Sequence, residues 1–503
     1  MFGLSPEHLV VAALVVPLVG AAAIFLHDDR PNVREAMTLG TAGILFSIVV
    51  ALLVAVADGA RPEVNVLSFQ PGLDLVFRVE PLGMLFAAIA SGLWIVNSIY
   101  SIGYMRGNNE PRQTTFYVCF AVAIFSALGI AFAGNLLTLF LFYEVLTLST
   151  YPLVAHKADE KARTGARIYL LILLGTSMVL LLPAIIWTQV LAGTTDFMPG
   201  GILSGKVEGT LVAVLLALFV FGTGKAALMP FHSWLPNAMV APTPVSALLH
   251  AVAVVKAGVF TVLKIVTYTF GIEFLGESGA NQWLIYVCCF TIIAASVIAI
   301  TKDNLKARLA FSTVSQLSYV VLGAALANAM GILGGGLHIL MHAFGKITLF
   351  MCAGAIYTSL HKTEISDLNG IGRQMPITMI AFFIGALSII GLPPLGGVWS
   401  KWFLAVGSYD AGFVFAVVVL MVSSLLNVYY LLEVVLRAFF RPLSGVSDGA
   451  PVAISEAPLL CLIPICLTAV GCIALFVFAD PVADYLGLVD LKGVAASGSV
   501  EGS

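Results

Sequence analysis

Several ionisable side chains lie inside long apolar stretches of the sequence, and they are of the types that exchange protons. Glu144 lies in NLLTLFLFYEVLTLSTYPLV, and Lys225 and Lys256 lie in the segment 221–258. A charged side chain in hydrocarbon is costly, so such residues are functional candidates by default. Lysine, histidine and glutamate gain or lose protons when burial and neighbouring charges change. We therefore predict a proton path through the apolar interior.

Broken helices accompany the lysines. A proline inside a membrane helix frees a backbone carbonyl, which is tolerated only beside protein or water. Lys401 follows the pair Pro393-Pro394, and four prolines lie between Lys225 and Lys256: Pro230, Pro236, Pro242 and Pro244. Charge and interrupted backbone at membrane depth are typical of the ion path of a transporter.

Glu144 has no basic residue in the apolar part of its own segment, and Lys225 has no acid in its own span. Each is costly alone at membrane depth, so each needs a partner of opposite charge. We predict that they form one switchable pair that tunes proton release towards Lys256. A purely structural ion pair that fixes two helices to each other is the alternative.

His338, His342 and Lys346 are spaced i, i+4 and i+8 in GGGLHILMHAFGKITLF. This spacing places all three on one stripe of a helix, where imidazoles donate and accept protons near neutral pH. Two histidines at i and i+4 can also bind zinc, but no glutamate follows the first as in HExxH, and Lys346 would repel a cation. We predict proton transfer, with an intramembrane metal enzyme as the weaker alternative.

Two further histidines are possible members of the path. His250 lies six residues before Lys256, which predicts that the two side chains point to different faces of one helix. It lines the path or is a core histidine with satisfied hydrogen bonds, and the sequence leaves both open. His232 lies in the proline-rich stretch and is the second possible path residue.

Other charged residues have ordinary explanations. Lys264 lies close to the end of its predicted helix, where snorkelling to the interface accounts for it. Arg78 and Glu80 are expected to be interface residues at a helix end. Glu433 lies four residues before Arg437, as in a helix-stabilising i, i+4 pair.

The composition predicts an all-α polytopic membrane protein. Of 503 residues, 60% are hydrophobic and 10% charged, whereas a soluble protein carries about 25% charged residues. The net charge of −3 gives no indication of a nucleic-acid partner. The seven cysteines form no CxxC pair, so neither a metal site nor a disulfide framework is predicted. Glu7 and His8 precede the first apolar run, which we expect to be an uncleaved helix and not a signal peptide.

Fourteen apolar segments are long enough, at about 20 residues, to cross a bilayer. They lie near 8–26, 36–57, 81–103, 115–134, 136–155, 167–191, 210–231, 244–268, 282–301, 306–327, 332–357, 375–405, 411–436 and 457–479. The segment 375–405 is too long for one straight helix and should break at Pro393-Pro394, as the segment 210–231 should break near Pro230. The stretches 58–80 and 192–209 are predicted loops, and the tail after Leu486 is predicted to be disordered.

Lysine and arginine are unevenly distributed between the loops. Loops after odd-numbered segments, counted with the adjoining segment ends, hold fifteen of these residues and the other loops hold four, while five lie deeper within the segments. The positive-inside rule therefore places the odd loops in the cytoplasm and both termini outside. The expected location is the plasma (inner) membrane, crossed many times.

Lysines beside broken segments occur twice, at Lys225 and at Lys401, which predicts an inverted repeat. At these residues the chain resembles the antiporter-like subunits shared by Mrp-type multisubunit cation/proton antiporters, respiratory complex I and membrane hydrogenases. The stretches that carry the resemblance are LFYEVLTLSTYPL, GKAALMPFHSWLPNAMVAPTPVSALLHAVAVVKAGV, NLKARLAFSTVSQLSYVVLG and HILMHAFGKITLF. Size and pattern favour the Mrp D type.

The resemblance implies fourteen helices, with inverted repeats formed by helices 4–8 and 9–13 and with helices 7 and 12 broken. The implied division is 1–110 for helices 1–3, 111–270 and 280–440 for the repeats, and 441–503 for helix 14 and the tail. By position, the matching polar residues of the family are Glu144, Lys225, Lys256, His338, His342, Lys346 and Lys401. Lysine at 401 departs from members that have glutamate there.

The function expected from these observations is proton translocation in a multisubunit Na⁺ or K⁺/proton antiporter, with other membrane subunits as partners. The alternative is a non-redox proton-pumping subunit of a complex I-like oxidoreductase or a membrane hydrogenase. No cofactor is predicted for this chain, because it has neither a cysteine cluster nor a GxGxxG motif followed by an acidic residue. We expect a transporter subunit rather than an enzyme in its own right.

Overall fold

The computed structural model describes residues 5–70, 73–443 and 453–491. The first half contains α1 (Pro6–Phe25), α2 (Pro31–Ala57), β1 (Glu63–Gln70), β2 (Leu73–Arg78), α3 (Pro81–Gly107), α4 (Gln113–Ala131), α5 (Leu136–Val154), α6 (Glu160–Ala192), α7 (Thr210–Gly222) and α8 (Thr243–Phe270). Short turns of helix at Gly224–Ala226, Trp234–Asn237 and Ala238–Val240 connect α7 to α8.

The second half is again helical. It contains α9 (Ile272–Ser278), α10 (Gln282–Ile300), α11 (Leu305–Ala325), α12 (Ala329–Leu360), α13 (Pro376–Ile390), α14 (Gly397–Asp410), α15 (Val414–Phe440), α16 (Leu459–Val477) and α17 (Ala479–Gly487). Two 3₁₀ turns, Ile365–Leu368 and Ile371–Arg373, lie before α13.

The prediction of an all-α polytopic membrane protein is confirmed. Eleven helices in the described part of the chain are long and apolar enough to cross a membrane, and the apolar helices α7 and α13 are shorter because each belongs to a broken segment. Every one of the fourteen predicted segments overlaps a helix. The disorder predicted after Leu486 does not begin there, because Gly487 ends the last helix and Val489 is buried. Residues 492–503 of the predicted tail lie outside the described residues.

The prediction that 58–80 is only a loop is wrong. Strands β1 and β2 pair in antiparallel register there, with Glu63 opposite Arg78. Val64 and Val66 alternate with Glu63 and Asn65, which suits a half-exposed strand. We call the side of the molecule that carries this hairpin, with loops 132–135, 193–209 and 271–281, the hairpin face. The opposite side, with loops 26–30, 108–112, 155–159, 301–304 and 361–375, is the basic face.

Both predicted breaks exist. α13 ends at Ile390, Gly391 adopts φ +84°, and α14 begins at Gly397. α7 ends at Gly222, eight residues before Pro230, so the first break is at Lys225 itself and the prolines lie beyond it. α8 is interrupted as well, by a π turn at Leu248–Val252 and by the bend at Ala253. The sequence did not predict this third interruption.

The longest helix, α12, passes through the centre of the molecule and is almost entirely buried. Its run Gly334-Gly335-Gly336 permits a close approach of neighbouring backbones. A Cβ atom at Gly334 would lie only 2.8 Å from the backbone nitrogen of Leu404 in α14. The fold therefore places α12, which bears the histidine stripe, directly against the second broken segment.

Candidate functional site: a buried row of lysines and histidines

Lys225 lies in the first break and its side chain is fully buried. Its Nζ donates to the Tyr143 carbonyl at 2.8 Å and to the Thr147 hydroxyl at 2.6 Å, and lies 3.1 Å from the centre of the Tyr143 ring. Its backbone N–H donates to the Tyr143 hydroxyl. The break leaves backbone groups without helical hydrogen bonds, and a residue of α5 accepts the hydrogen bond of the Lys225 N–H. Residues of α5 also hold the Lys225 ammonium in place.

Glu144 follows Tyr143 on α5 and is 8% exposed. Neither of its carboxylate oxygens has a hydrogen-bond partner within the described residues, and no ion pair with Lys225 forms within 4.0 Å. The predicted pair is therefore not in contact in this structure. Lys225 instead bonds to neutral groups one and three residues away from Glu144 along the same helix, so pairing requires the lysine side chain to move.

Lys256 and His342 form the central contact. Lys256 Nζ lies 2.5 Å from His342 Nδ1, and both side chains are buried. An ammonium has no acceptor, so Lys256 donates and the imidazole accepts at Nδ1, which places the proton of a neutral His342 on Nε2. Close packing brings α8 to the first break, because a Cβ atom at Gly258 would lie 2.3 Å from the Lys225 carbonyl carbon.

The row continues along α12 towards the second break. The rings of His342 and His338 have centroids 5.8 Å apart. His338 Nδ1 lies 2.9 Å from the Ser400 hydroxyl, which itself donates to the Gly397 carbonyl, so Nδ1 is the donor. The Tyr319 ring stacks on the His338 ring with centroids 5.2 Å apart, and Lys401 Nζ lies 5.2 Å from the centroid of the Tyr319 ring.

Lys401 closes the row at the second break. Its Nζ donates to the Ile390 carbonyl at 2.8 Å and to the Ser424 hydroxyl at 3.0 Å. Ile390 is the last residue of α13, where a helix carries partial negative charge and an unsatisfied carbonyl. Lys401 therefore satisfies the broken end, and it also lines a largely apolar cavity of about 690 Å³ between α14 and α15.

The third member of the stripe, Lys346, leaves the row. Its Nζ donates to the Ser312 hydroxyl at 2.7 Å and to the Leu309 carbonyl at 3.3 Å. Tyr430 donates to the same serine. Lys346 is thus a buried side branch from α12 to α11 and α15, and no side-chain hydrogen bond joins it to His342.

The two possible path histidines differ in position. His250 is fully buried in the π turn of α8 and stacks on Phe350 at 4.4 Å, and neither of its ring nitrogens has a hydrogen-bond partner among the described residues. A core histidine usually has a hydrogen-bond partner, so the missing protein partner favours the path interpretation of His250, which stays a prediction. His232 lies outside the row, half-buried near Phe311 in the segment between α7 and α8.

A cavity of about 250 Å³ opens at the basic face. Thr243 and Ala353 in its lining lie on α8 and α12, within seven residues of the His250–Phe350 stack. Its lining includes four lysines, which are Lys157, Lys161, Lys306 and Lys362. The cavity therefore opens at the basic face beside α8 and α12, and its lining also includes Asp159.

Two titratable loop residues interact with these lysines or lie next to them in the chain. Burial raises the pKa of Glu110, and the charges of Lys157 and Lys306 oppose that rise. Burial and the Arg112 charge lower the pKa of His156 to about 4. The 3.8 Å contact between His156 Nε2 and Glu110 Oε2 therefore involves a neutral imidazole at neutral pH and is not an ion pair.

Several residues of the site were not predicted from the sequence. They are the hydrogen-bond partners and ring contacts Tyr143, Thr147, Ser312, Tyr319, Ser400 and Ser424. Hydroxyl residues are common in membrane helices, where they often bond to their own helix, so no sequence signal distinguishes these six. The expected pair of Glu433 and Arg437 is confirmed at 2.9 Å, and Arg308 joins it at 2.8 Å.

Comparison with known proteins gives consistent matches. The family model described as NADH:quinone oxidoreductase/Mrp antiporter, TM, matches residues 133–427. The chain is 31% identical to NADH-quinone oxidoreductase subunit N of Desulforudis audaxviator, over 94% of this chain and 97% of that one. It is 30% identical to a probable K⁺/H⁺ antiporter component of Rhizobium meliloti, over 78% of this chain but only 39% of that protein.

Two solved structures have the same fold. A chain of the Mrp complex of a Dietzia species superposes with a TM-score of 0.85 at 22% identity, covering 96% of both chains. A chain of the membrane-bound sulfane sulfur reductase, an archaeal respiratory membrane complex, gives a TM-score of 0.84 at 22% identity, covering 95% of this chain and 96% of that one.

Proposed function

Because the chain belongs to the NADH:quinone oxidoreductase/Mrp antiporter family of transmembrane proteins, we propose that it is the proton-translocating subunit of a multisubunit Na⁺ or K⁺/proton antiporter. The observation that carries the proposal is the buried hydrogen bond from Lys256 to His342, in a row that runs from one broken segment to the other. Ionisable side chains are rare inside membrane-spanning segments, and those that occur there usually belong to a functional site.

The Lys256–His342 contact supports a relay. The Lys256 ammonium gives a proton to His342 Nδ1, and the resulting imidazolium can release the proton on Nε2, which points away from the lysine. His342 Nε2 is buried without a partner among the described residues, so it is free to pass a proton to a water or towards His338. Lys401 is the last group, next to the end of α13.

The chemistry of the row supports a path for protons rather than for metal cations. A lysine ammonium has only donors and cannot coordinate Na⁺ or K⁺, whereas lysine and histidine side chains exchange protons. In the proposed assembly the metal cation therefore crosses in another subunit. The division of this chain into two repeats, 111–270 and 280–440, stays a prediction.

A second candidate function is supported by the match to subunit N, which this chain covers almost completely. In that case the same row pumps protons in a complex I-like oxidoreductase or a membrane hydrogenase. The redox reaction would then take place in other subunits, and this chain would remain a membrane subunit without its own redox step.

Proton movement in everted membrane vesicles tests the function and separates the two candidates. Vesicles from a host that lacks only this chain should lose the activity, and expression of the chain should restore it. A pH change on addition of Na⁺ or K⁺ identifies the antiporter, and a pH change driven by NADH or another reductant identifies the pump. The purified chain alone in liposomes is the control and should give no cation-dependent flux. Antiport by the lone chain would contradict a subunit role.

Orientation is a separate proposal. We propose that the basic face lies in the cytoplasm of the producing cell and that both termini lie outside, and the excess of lysine and arginine at that face supports this. A cysteine introduced at Ala158, an exposed position in the loop after α5, should react with an impermeant maleimide only in everted vesicles. A cysteine at Lys206, exposed on the hairpin face, is the matched control and should react only in intact cells. The opposite pattern would reverse the topology.

A further inference from the structure

Lys264 does not reach an interface, contrary to the sequence prediction of snorkelling. Its side chain is fully buried in α8, where Nζ donates to the Ala133 carbonyl at 2.7 Å and lies 4.8 Å from the centre of the Phe197 ring. Its Nζ is 3.8 Å from Glu80 Oε2, and Glu80 is also buried. The prediction that Glu80 is an interface residue is wrong as well, because its side chain is buried.

This pair lies on the hairpin side of the row, and its lysine is on α8, the helix that also carries Lys256. Lys264 follows Lys256 by eight residues, which corresponds to about 12 Å along a helix. Tyr268 interacts with Glu80 from the π turn Val266–Phe270, one turn further on. π turns inside α-helices are frequent at functional sites. The local structure around Lys264 thus differs from that of an ordinary helix end.

Charged groups continue from the pair to the surface. Arg78, two residues before Glu80, donates to Glu63 at 2.7 Å and to the Phe197 carbonyl at 2.8 Å. The Arg78 side chain is 27% exposed and that of Glu63 48% exposed. Buried Lys264 is therefore connected to solvent at the hairpin face through Glu80 and the Arg78–Glu63 pair. The groups that face this region also include Arg61, Asp196 and Asp490.

We propose that Lys264 and Glu80 form the hairpin-side end of the proton path, where protons leave the row or enter it. This rests on the proposed function and adds a second lysine–carboxylate step to it. The Lys264 ammonium loses a proton and one Glu80 oxygen gains it, so that both groups become neutral. Glu80 then releases the proton to water beside Arg78 and Glu63, and Lys264 is protonated again from the side of Lys256.

The geometry favours a transfer step over a fixed structural ion pair. A structural pair requires good geometry, with further hydrogen bonds that satisfy the remaining lone pairs. Here the two atoms are 3.8 Å apart, beyond direct hydrogen-bond distance, and Glu80 Oε2 has no hydrogen-bond partner in the described part of the chain. Lys264 donates its direct hydrogen bond to a neutral carbonyl instead. A carboxylate with a free oxygen beside a lysine can accept a proton after a small movement or through one water.

Flux through the assembled complex in everted vesicles tests the proposal. Lys264→Met should lower proton flux about 100-fold, the loss typical of removing a positioned proton-transfer group. Lys264→Arg keeps the charge but not the ability to give up a proton, so it should also be inactive. Lys206→Met removes an exposed lysine on the same face and is the matched control, with flux expected to be unchanged.

A structural role is tested by replacing the whole pair. Glu80→Leu with Lys264→Met substitutes apolar side chains for both charges, a change that is often neutral or stabilising for a buried pair. This double variant should assemble with normal thermal stability and carry no flux, whereas restored flux would show that the pair is only structural. If it does not assemble, Glu80→Gln keeps the side-chain shape and decides: loss of flux supports the transfer step, and normal flux overturns it.

The Lys256→Met variant separates this proposal from the proposed function. Loss of flux in Lys256→Met together with normal flux in Lys264→Met would overturn the hairpin-side step alone. Normal flux in both variants would overturn the row as the proton path.

Discussion

Replacing Lys256 by methionine should reduce proton flux through the assembled complex about 100-fold, while the chain still inserts and assembles. Lys256 is fully buried and its ammonium donates to His342. Methionine has a similar length and fills the same space, so packing between α8 and α12 is preserved. The cost to stability is limited to the acceptor left unsatisfied at His342 Nδ1, about 1–3 kcal/mol. Flux is measured in everted vesicles after the amount of assembled complex has been equalised.

Two further variants, one in the row and one outside it, show whether the loss of flux is specific to the Lys256–His342 contact. His342→Gln retains an acceptor for Lys256 but cannot relay a proton, so it should lose flux in the same way. Lys302→Met removes a half-buried lysine at the basic face that takes no part in the row, and it should transport normally. Wild-type flux in Lys256→Met would show that the path avoids the contact with His342.

The parts of the fold that depend on local sequence could be predicted. Apolar length gives the helices because a bilayer demands about 20 residues for each crossing. The second break could be located because Pro393-Pro394 with neighbouring glycines cannot continue a helix. The stripe of His338 and His342 follows from helical periodicity alone. Each of these predictions needs only the residue and its near neighbours.

The first break could not be placed correctly, because its position depends on residues far away in the chain. α7 ends at Gly222, where a Cβ atom would lie 2.4 Å from the Leu181 backbone nitrogen. The freed backbone groups at Gly224 and Lys225 are satisfied by the Trp234 indole N–H and the Tyr143 hydroxyl. These partners stabilise the break at that point, whereas the prolines on which the prediction relied, from Pro230 onwards, lie after it in the chain.

The error over Lys264 has a similar cause. A lysine near the end of an apolar span usually extends to the interface, and local sequence offers no reason to expect otherwise. Here Phe197 and the Ala133 carbonyl cover the helix end. Burial therefore results from the packing of two separate loops and not from the composition of α8. This burial makes Lys264 a candidate for proton transfer.

Glu144→Gln should also reduce flux about 100-fold, and the reason lies in the contacts that Lys225 makes now. The ammonium is held by the Tyr143 carbonyl and the Thr147 hydroxyl, both neutral, while the Glu144 carboxylate next to them has no hydrogen-bond partner in the described residues. Two positions are thus available to the lysine. Beside the carboxylate the charged form is favoured, and beside neutral groups the proton is more easily given up. Glutamine is neutral, so in Glu144→Gln both positions of Lys225 would lie beside neutral groups and would no longer differ in how readily the lysine gives up its proton.

The comparison of conservative variants tests whether movement between these two positions is required. Glu144→Asp keeps the charge but retracts it by one methylene, so partial flux should survive, and Lys225→Ala should be inactive. Thr147→Val removes one of the two neutral hydrogen bonds that hold Lys225 and leaves the carboxylate and the Tyr143 carbonyl in place, so it should lower flux only partly. Residues that act as one unit are non-additive, so the double variant of Glu144→Gln and Lys225→Ala should be little worse than either alone. Wild-type flux in Glu144→Gln across the pH range would instead make Glu144 a structural residue, and Lys225 would then hand on its proton without a carboxylate partner.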